Sequence, residues 1–535
     1  MPSNRTRQIL HPILHLLAVG GHLWARSAGQ LAFCRIISCL FVILLSLKLV
    51  MHPQVVNLKR QYLQVDKDAA ALKLLMITLE FKRGTFSGNG VYAQSIARSL
   101  ARRGNEVLVI SGNPVKHVHS ASLTSNVGQQ HIHAENLGEN QNKYGQTSSS
   151  HTNGVTEEQV LNDLDIGLYE LEVDVEEDGW GRLDWKCPWR SFAQGIKQHE
   201  MYVAKFRPSW VLVVDWSSLP AFESLSMAMG MKWRMAFLNF RIYTVSEYQG
   251  EDGRAEKRFY KDMESKAVSM ASAVSALSSR DANILATQLG EGIRDGVVPK
   301  PHFPPLREDL RAVALARNSI NQEFGSTEKW QKSRLYLTCC VRLSPEKNTE
   351  LFASLIEVLA VFLSQQQIVP FLCGGAKRGN PYADRIRMRV REAMPEAIIY
   401  EGFMGASDLA DLYSQTLLNL HPCIYDAYGM TIVEAAAFAS PSIVHAGSGG
   451  AVGAAEFLDP SQGQVIPLDL MADPQKIADE IKELLLNRSY LAKVGCASQE
   501  RSLSWDEDAN ADQLMGILES APLFTKDNDV VNGVI

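Results

Sequence analysis

NLHPCIYDAYGMTIVEAAAFASPSIVHAGSGG, Asn419 to Gly450, is the stretch from which the rest of the chain can be read. The apolar run from Leu417 to Leu420 predicts a strand. A short loop follows, then Gly429, then an Ala-rich segment that predicts a helix carrying Glu434 in its first turn. A second acid, Asp426, precedes it in the loop. Two carboxylates around a loop and a helix start offer acceptors to a polyhydroxylated ligand. The amides of Gly429, Met430 and Thr431, which lack helical carbonyl partners, face any phosphate nearby. That combination suits a sugar nucleotide.

Outward from this stretch, apolar runs alternate with helical segments. RLYLTCCVRLSPEKN predicts a strand over Leu335 to Val341 that runs into Arg342 and a loop ending at Lys347. IVPFLCGG, AIIYEGF, PSIVHAG and QVIPLD predict further strands, and helices follow from Pro474 and beyond Trp505. The same alternation opens earlier with LKLLMITLEF, Leu72 to Phe81. A helix is expected after it, because Ala93, Ile96, Ala97 and Leu100 share one helical face and Gly104 is a natural stop. EVLVISG, Trp210 to Val214 and MAFLNF read as strands, the last followed by a long helix through Glu264 and Lys266 into MASAVSALSSRDANIL. Two sets of alternating β and α units predict an α/β protein with two Rossmann-like, doubly wound parallel sheets facing a cleft.

In such folds ligands bind beyond the carboxyl ends of the strands. The loop with Gly88, Asn89 and Gly90 occupies that edge, as does Asp215 after Trp210 to Val214. The loop holds no G-x-G-x-x-G, so a tight turn competes with ligand contact there, and capping of the next helix competes with function for Asp215.

The chain has 535 residues, 46% hydrophobic and 21% charged, with a formal net charge of -6 that argues against nucleic acid as the main partner. No acid occurs before Asp66. Residues 1–30 read as a basic tail, Leu31 to Met51 as an apolar signal anchor long enough to span a bilayer, and 52–70 as a stem. A single-pass membrane protein of the Golgi or ER is the expectation, with an organellar transit peptide as the alternative. Residues 115–159 are rich in His, Ser, Asn, Gln and Gly and read as a disordered insertion. The eight cysteines show no C-x-x-C pair, and no metal site is expected.

The order RLSPEKN, Gly402-Phe403, D-A-Y-G-M-T-I-V-E-A (Asp426 to Ala435) and GSGG resembles the retaining GT-B glycosyltransferases of family 4. The resemblance implies an N-terminal acceptor domain over 71–315, a nucleotide-sugar domain over 330–498, and a C-terminal helix within 499–535 returning to the first. It implies that Arg342 and Lys347 hold the diphosphate and that Glu434 accepts hydrogen bonds from the ribose. Gly402, Phe403, Gly429, Met430 and Thr431 fall among the donor-binding positions. Asp426 stands where the family usually has a Glu that contacts the donor hexose. Val214-Asp215-Trp216 replaces the His-Asp-Trp often found there, which leaves Asp215 as the polar group near the reacting centre. No metal or other cofactor is implied. The strings Asp163-Leu-Asp165 and Asp506-Glu-Asp508 read as surface acids.

The expected activity is transfer of a hexose from a UDP- or GDP-sugar to a hydroxyl of a glycan, lipid or small-molecule acceptor, with retention. A catalytically silent sugar- or nucleotide-binding scaffold is the alternative. An NAD-linked oxidoreductase has only the Rossmann-like layout in its favour and lacks the glycine fingerprint.

Overall fold

The computed structural model describes residues 71–535, apart from 82–87, 116–160, 164–166, 177–186, 246–249, 323–333, 376–378, 403, 448–450 and 523–535. The anchor expected at Leu31 to Met51 therefore lies outside the described residues, as does the insertion apart from Val115. Among the described residues no helix is long and apolar enough to cross a membrane.

The N-terminal half begins with β1 (Lys73–Thr78), α1 (Gly88–Arg102), β2 (Glu106–Val115), β3 (Leu161–Asp163) and β4 (Leu168–Glu176). It continues with α2 (Pro188–Gly195), α3 (Glu200–Phe206), β5 (Trp210–Val214), α4 (Asp215–Met229), β6 (Met235–Asn239) and α5 (Gly250–Met270). β7 (Ala273–Ala276), α6 (Ser279–Thr287) and β8 (Lys300–Pro301) complete it. The sheet order is β3-β4-β2-β1-β5-β6-β7-β8, and every pairing is parallel except β3 with β4.

α7 (Glu308–Gln322) leads into the C-terminal half. There β9 (Tyr336–Cys340), α8 (Thr349–Gln365), β10 (Val369–Cys373), α9 (Pro381–Ala393), β11 (Ile398–Tyr400), α10 (Ala406–Gln415) and β12 (Thr416–Leu420) follow one another. After them come β13 (Tyr425–Asp426), α11 (Met430–Ala436), β14 (Ser442–His445), β15 (Ala451–Val452), α12 (Ala454–Phe457) and β16 (Ile466–Leu468). The chain closes with α13 (Pro474–Leu486), α14 (Arg488–Ser504) and α15 (Glu507–Glu519). This sheet runs β11-β10-β9-β12-β14-β16 and is parallel throughout.

Side-chain alternation explains how the sheets are buried on both faces. Leu75 and Ile77 of β1 join one core, whereas Leu74 and Met76 join another that continues into the C-terminal half through Cys340, Phe371 and Tyr428. A third core underlies the opposite face of the second sheet, around Leu337, Phe352 and Ile443. On α1 the predicted face, Ala93, Ile96, Ala97 and Leu100, is fully buried, which for Ile96 and Leu100 is worth about 2 kcal/mol each. The opposite end of the chain returns to this helix, where Ser95 Oγ donates to Glu507 of α15 and Arg103 pairs with Asp512.

Three sequence expectations are corrected. The long helix after β6 stops at Met270, and Ala273–Ala276 is a fully buried parallel strand between β6 and β8. Its small residues carry a helical propensity that burial between neighbouring strands overrides. Gly88, Asn89 and Gly90 form the first turn of α1 rather than a loop before it. Glu434 lies beyond the first turn of α11, because that helix starts only at Met430.

Candidate active site

Each sheet has a point where its strand order reverses. In the first, the chain leaves β1 toward β2 and later returns to β5 on the other side of β1. In the second, β9 leads to β10 on one side while β12 lies on the other. A crevice opens at such a point because the two loops diverge, and Glu80 and Asp215 lie at the first of these places and Arg342, Lys347 and Asp426 at the second.

In the C-terminal half, Arg342 and Lys347 follow β9, and Asp426 follows β12. Lys347 Nζ donates to Asp426 Oδ2 at 2.6 Å, and His421 Nε2 lies 3.0 Å from the same oxygen. Burial alone drives the Asp426 carboxyl toward its neutral form, but Lys347 and His421 together hold it well below the usual carboxylate range. Burial likewise lowers the His421 pKa, and Cys423 and Asp426 outweigh it, raising the imidazole to about 9. The Lys347 pKa is raised because Asp426 outweighs its desolvation. Asn348 Nδ2 donates to Pro422 O at 3.1 Å and ties the two loops together. Arg342 is more than half exposed and pairs with Glu346 at 2.9 Å.

Gly429 has φ 92°, and a Cβ there would stand 2.7 Å from Ile432 Cδ1 and 3.4 Å from His421 Nε2, so the turn into α11 requires glycine. Met430 and Thr431, the first residues of α11, are half-buried. Glu434 is buried, 3.9 Å from Arg307 Nη1, a residue of the segment that joins the halves. Burial raises its pKa, Arg307 opposes the rise, and Asp309 adds to it. Gly402, with φ 148°, follows β11 on the far side of β10, and Phe403 lies outside the described residues.

In the N-terminal half, Asp215 is buried with φ 60°. Its Oδ1 accepts from the Trp216 amide at 3.0 Å and its Oδ2 from Asn89 Nδ2 at 3.2 Å. Burial pushes its pKa up to about 8, the Trp216 amide lowers it, and the neighbouring Glu264 and Glu80 add to the rise. Glu80, just beyond β1, accepts from the Gly90 amide, and burial pushes it up to about 7. Gly88 faces Met430 across the cleft, with Met430 Cγ 3.9 Å from where a Cβ would stand.

Glu80, Arg241, Tyr243, Glu264, Asp281, His421 and Tyr425 are the residues that sequence reasoning missed. Glu80 carried a signal equal to that of Asp215, an acid directly after a buried strand. His421 and Tyr425 stand in the opening stretch beside Asp426, whereas Arg241, Tyr243, Glu264 and Asp281 come together only through tertiary structure. Burial pushes Glu264 and Asp281 up to about 7 each. Tyr425 OH donates to Asp281 Oδ2 at 3.0 Å, and the Ser279 and Arg280 amides donate to Glu456 at 2.6 and 3.2 Å, so α6 is fastened to the C-terminal half.

Among the described residues, His421, Cys423 and Asp426 have metal-ligand spacing, with ligand atoms within 4.8 Å of one another. The Lys347 ammonium already sits against the shared carboxylate oxygen, so this donor set is occupied by a side-chain cation and does not fit a metal. Asp506 caps α15 through the Ala509 amide, and Asp508 lies 3.7 Å from Arg102, which accounts structurally for that acidic string.

Residues 322–501 match the family model of glycosyl transferases group 1. The match spans β9 to the greater part of α14 and takes in the cluster around Lys347, Asp426 and Glu434. No curated protein matches the sequence. Solved structures share the fold. A sucrose-phosphate synthase from Thermosynechococcus elongatus is 14% identical, with a TM-score of 0.59 over 83% of this chain and 98% of its own. An alpha,alpha-trehalose 6-phosphate synthase from Burkholderia multivorans is 12% identical, with a TM-score of 0.57 over 84% and 97%. Anabaena HepE, solved with UDP-glucose, is 16% identical, with a TM-score of 0.52 over 83% and 99%. The architecture is thus GT-B-like, and its second half carries a glycosyltransferase group 1 domain.

Proposed function

We propose that the protein transfers a hexose from a UDP- or GDP-sugar to an acceptor hydroxyl with retention, as a family 4 enzyme. The observation that carries this reading is the Lys347–Asp426 pair at the second switch point, with Arg342 after the same strand as Lys347 and Glu434 on the helix that follows Asp426, all within the group 1 match. Arg342, Lys347 and the amides at the start of α11 supply positive charge where a diphosphate leaving group gains negative charge. Glu434 receives the ribose hydroxyls. The bond from the anomeric carbon to the diphosphate breaks as the acceptor oxygen bonds to that carbon. The acceptor proton passes to the departing phosphate, so neither a metal nor an enzymic base is required.

Calorimetry against a panel of UDP- and GDP-sugars tests the reading. At least one is expected to bind, and Glu434→Ala is expected to weaken that binding by about 2 kcal/mol, the loss of charge-assisted hydrogen bonds. No binding across the panel, or unchanged binding in the variant, refutes it. A silent binding scaffold is the second reading, favoured by one observation: Lys347 and His421 are both engaged by Asp426 Oδ2 rather than left open to a ligand. Binding without turnover over a broad set of acceptors distinguishes it. The proposed signal anchor at 31–51 is checked separately, by retention in the pellet after carbonate washing and release on deletion of residues 1–51.

A further inference from the structure

Three carboxyls, Asp215, Glu264 and Asp281, are buried along the N-terminal side of the cleft and a fourth, Glu80, is half-buried, and they differ in what holds them. Glu264 accepts from the Tyr243 and Thr244 amides and from the Thr244 hydroxyl. Asp215 is bonded at both oxygens, by Trp216 N–H and Asn89 Nδ2. Asp281 has one oxygen without a partner among the described residues, but its other is fixed to Tyr425 of the C-terminal half. Glu80 stands apart from these three. The Gly90 amide donates to its carboxylate, whereas Oε2 is shielded from solvent and has no partner among the described residues.

A buried carboxylate oxygen without a donor is costly, and in a cleft a ligand hydroxyl is the group that removes the cost. The position agrees. Glu80 follows β1 and Asp215 follows β5, the two strands that flank the first switch point. From across the cleft Arg342 acts electrostatically on Glu80, and Tyr243 is influenced by Glu80, Asp215 and Arg342 alike. Glu80 thus lies at the first switch point, within electrostatic reach of Arg342.

We propose, resting on the glycosyl-transfer reading, that Glu80 is the acceptor-specificity residue, whose Oε2 accepts a hydrogen bond from a hydroxyl of a neutral sugar or polyol. A carboxylate orients a hydroxyl donor and repels a phosphate. The acceptor class is therefore uncharged at the groups nearest the reacting centre.

The experiment uses the full chain and the nucleotide sugar found to bind it. Donor consumption is followed in water alone, then with glucose, glycerol or glucose 6-phosphate as probes. Glucose or glycerol is expected to stimulate consumption, and glucose 6-phosphate is not. Glu80→Gln, which keeps an oxygen for the Gly90 amide, is expected to lower the stimulation about tenfold or more with the donor Kd unchanged. The unchanged Kd also reports that the variant is folded, and Glu80→Asp, which withdraws the carboxylate by one methylene, is expected to fall between Gln and wild type. The proposal is overturned if no neutral probe stimulates, if glucose 6-phosphate stimulates as well as glucose, or if both variants retain full stimulation. If no nucleotide sugar binds, the glycosyl-transfer reading falls and takes this one with it. Binding with the wrong probe preference sinks this proposal alone.

Discussion

Asp426 is one methylene shorter than a glutamate, and its carboxylate is drawn to Lys347 and His421 rather than left open in the cleft. Removing the lysine leaves a buried carboxylate with only the imidazole. Lys347→Ala is therefore expected to cost about 3 kcal/mol in urea denaturation, as for a broken buried pair. Loss of donor binding should accompany it. The raised groups also set a pH dependence. Asp215 keeps its proton in the native state up to about 8, whereas its ordinary value is 3.8, so the native state binds more protons between these limits. Stability from this group is full below the ordinary value and falls as pH rises through about 8. His421, raised from 6.5 to about 9, acts in the same direction and loses its contribution as pH rises through about 9. The thermal midpoint should thus fall from pH 5 to 9. Asp215→Asn, which tolerates positive φ and cannot ionise, should flatten the part below pH 8. An equally steep fall in that variant contradicts the assignment. The residues of the C-terminal cluster were legible because Asp426, Gly429 and Glu434 share one short stretch. Arg241 and Tyr243 were not, since their neighbours come from strands far apart in sequence.

Elements were legible where apolar periodicity and burial agree. The strands that became β1, β5, β9 and β12 are continuous buried runs, and sequence marks them well. β7 was hidden because Ala, Ser and Val in AVSA have no strong period, and only pairing with β6 and β8 decides their conformation. The start of α11 is the element on which the site depends. Gly429→Ala meets both a left-handed backbone at φ 92° and Ile432 Cδ1 at 2.7 Å, and is expected to cost about 2 kcal/mol. Gly463, at φ 67° with no described atom within 4 Å of where a Cβ would stand, serves as the comparison, and Gly463→Ala should cost about 1 kcal/mol. Equal losses in urea melts would mean that the packing around Gly429 contributes nothing.

At the scale of the molecule, the sequence made two parallel sheets readable, but not which loops meet between them. Several contacts hold the halves together, and they are unequal. α15 lies on α1 with a buried network in which Tyr92 OH is 2.9 Å from His302 Nδ1 and receives Asn510 Nδ2 at 3.0 Å. The join on the cleft side is lighter: Glu456 on the exposed amides of Ser279 and Arg280, Tyr425 OH on Asp281, and the Arg280 guanidinium over the Tyr425 ring at 5.0 Å. Because the α15 contact is the more deeply buried, loosening the light one should open the cleft about the heavy one without unfolding either half. Tyr425 is also next to Asp426, so the fastening of α6 fixes the strand that carries the donor-side acid. Tyr425→Phe combined with Glu456→Gln is therefore expected to raise the radius of gyration measured by small-angle X-ray scattering, with little change in thermal midpoint. Nucleotide-sugar affinity should fall about tenfold, because the closed population that binds is reduced. An unchanged radius together with unchanged affinity would show that the cleft is held shut by the α15 side alone.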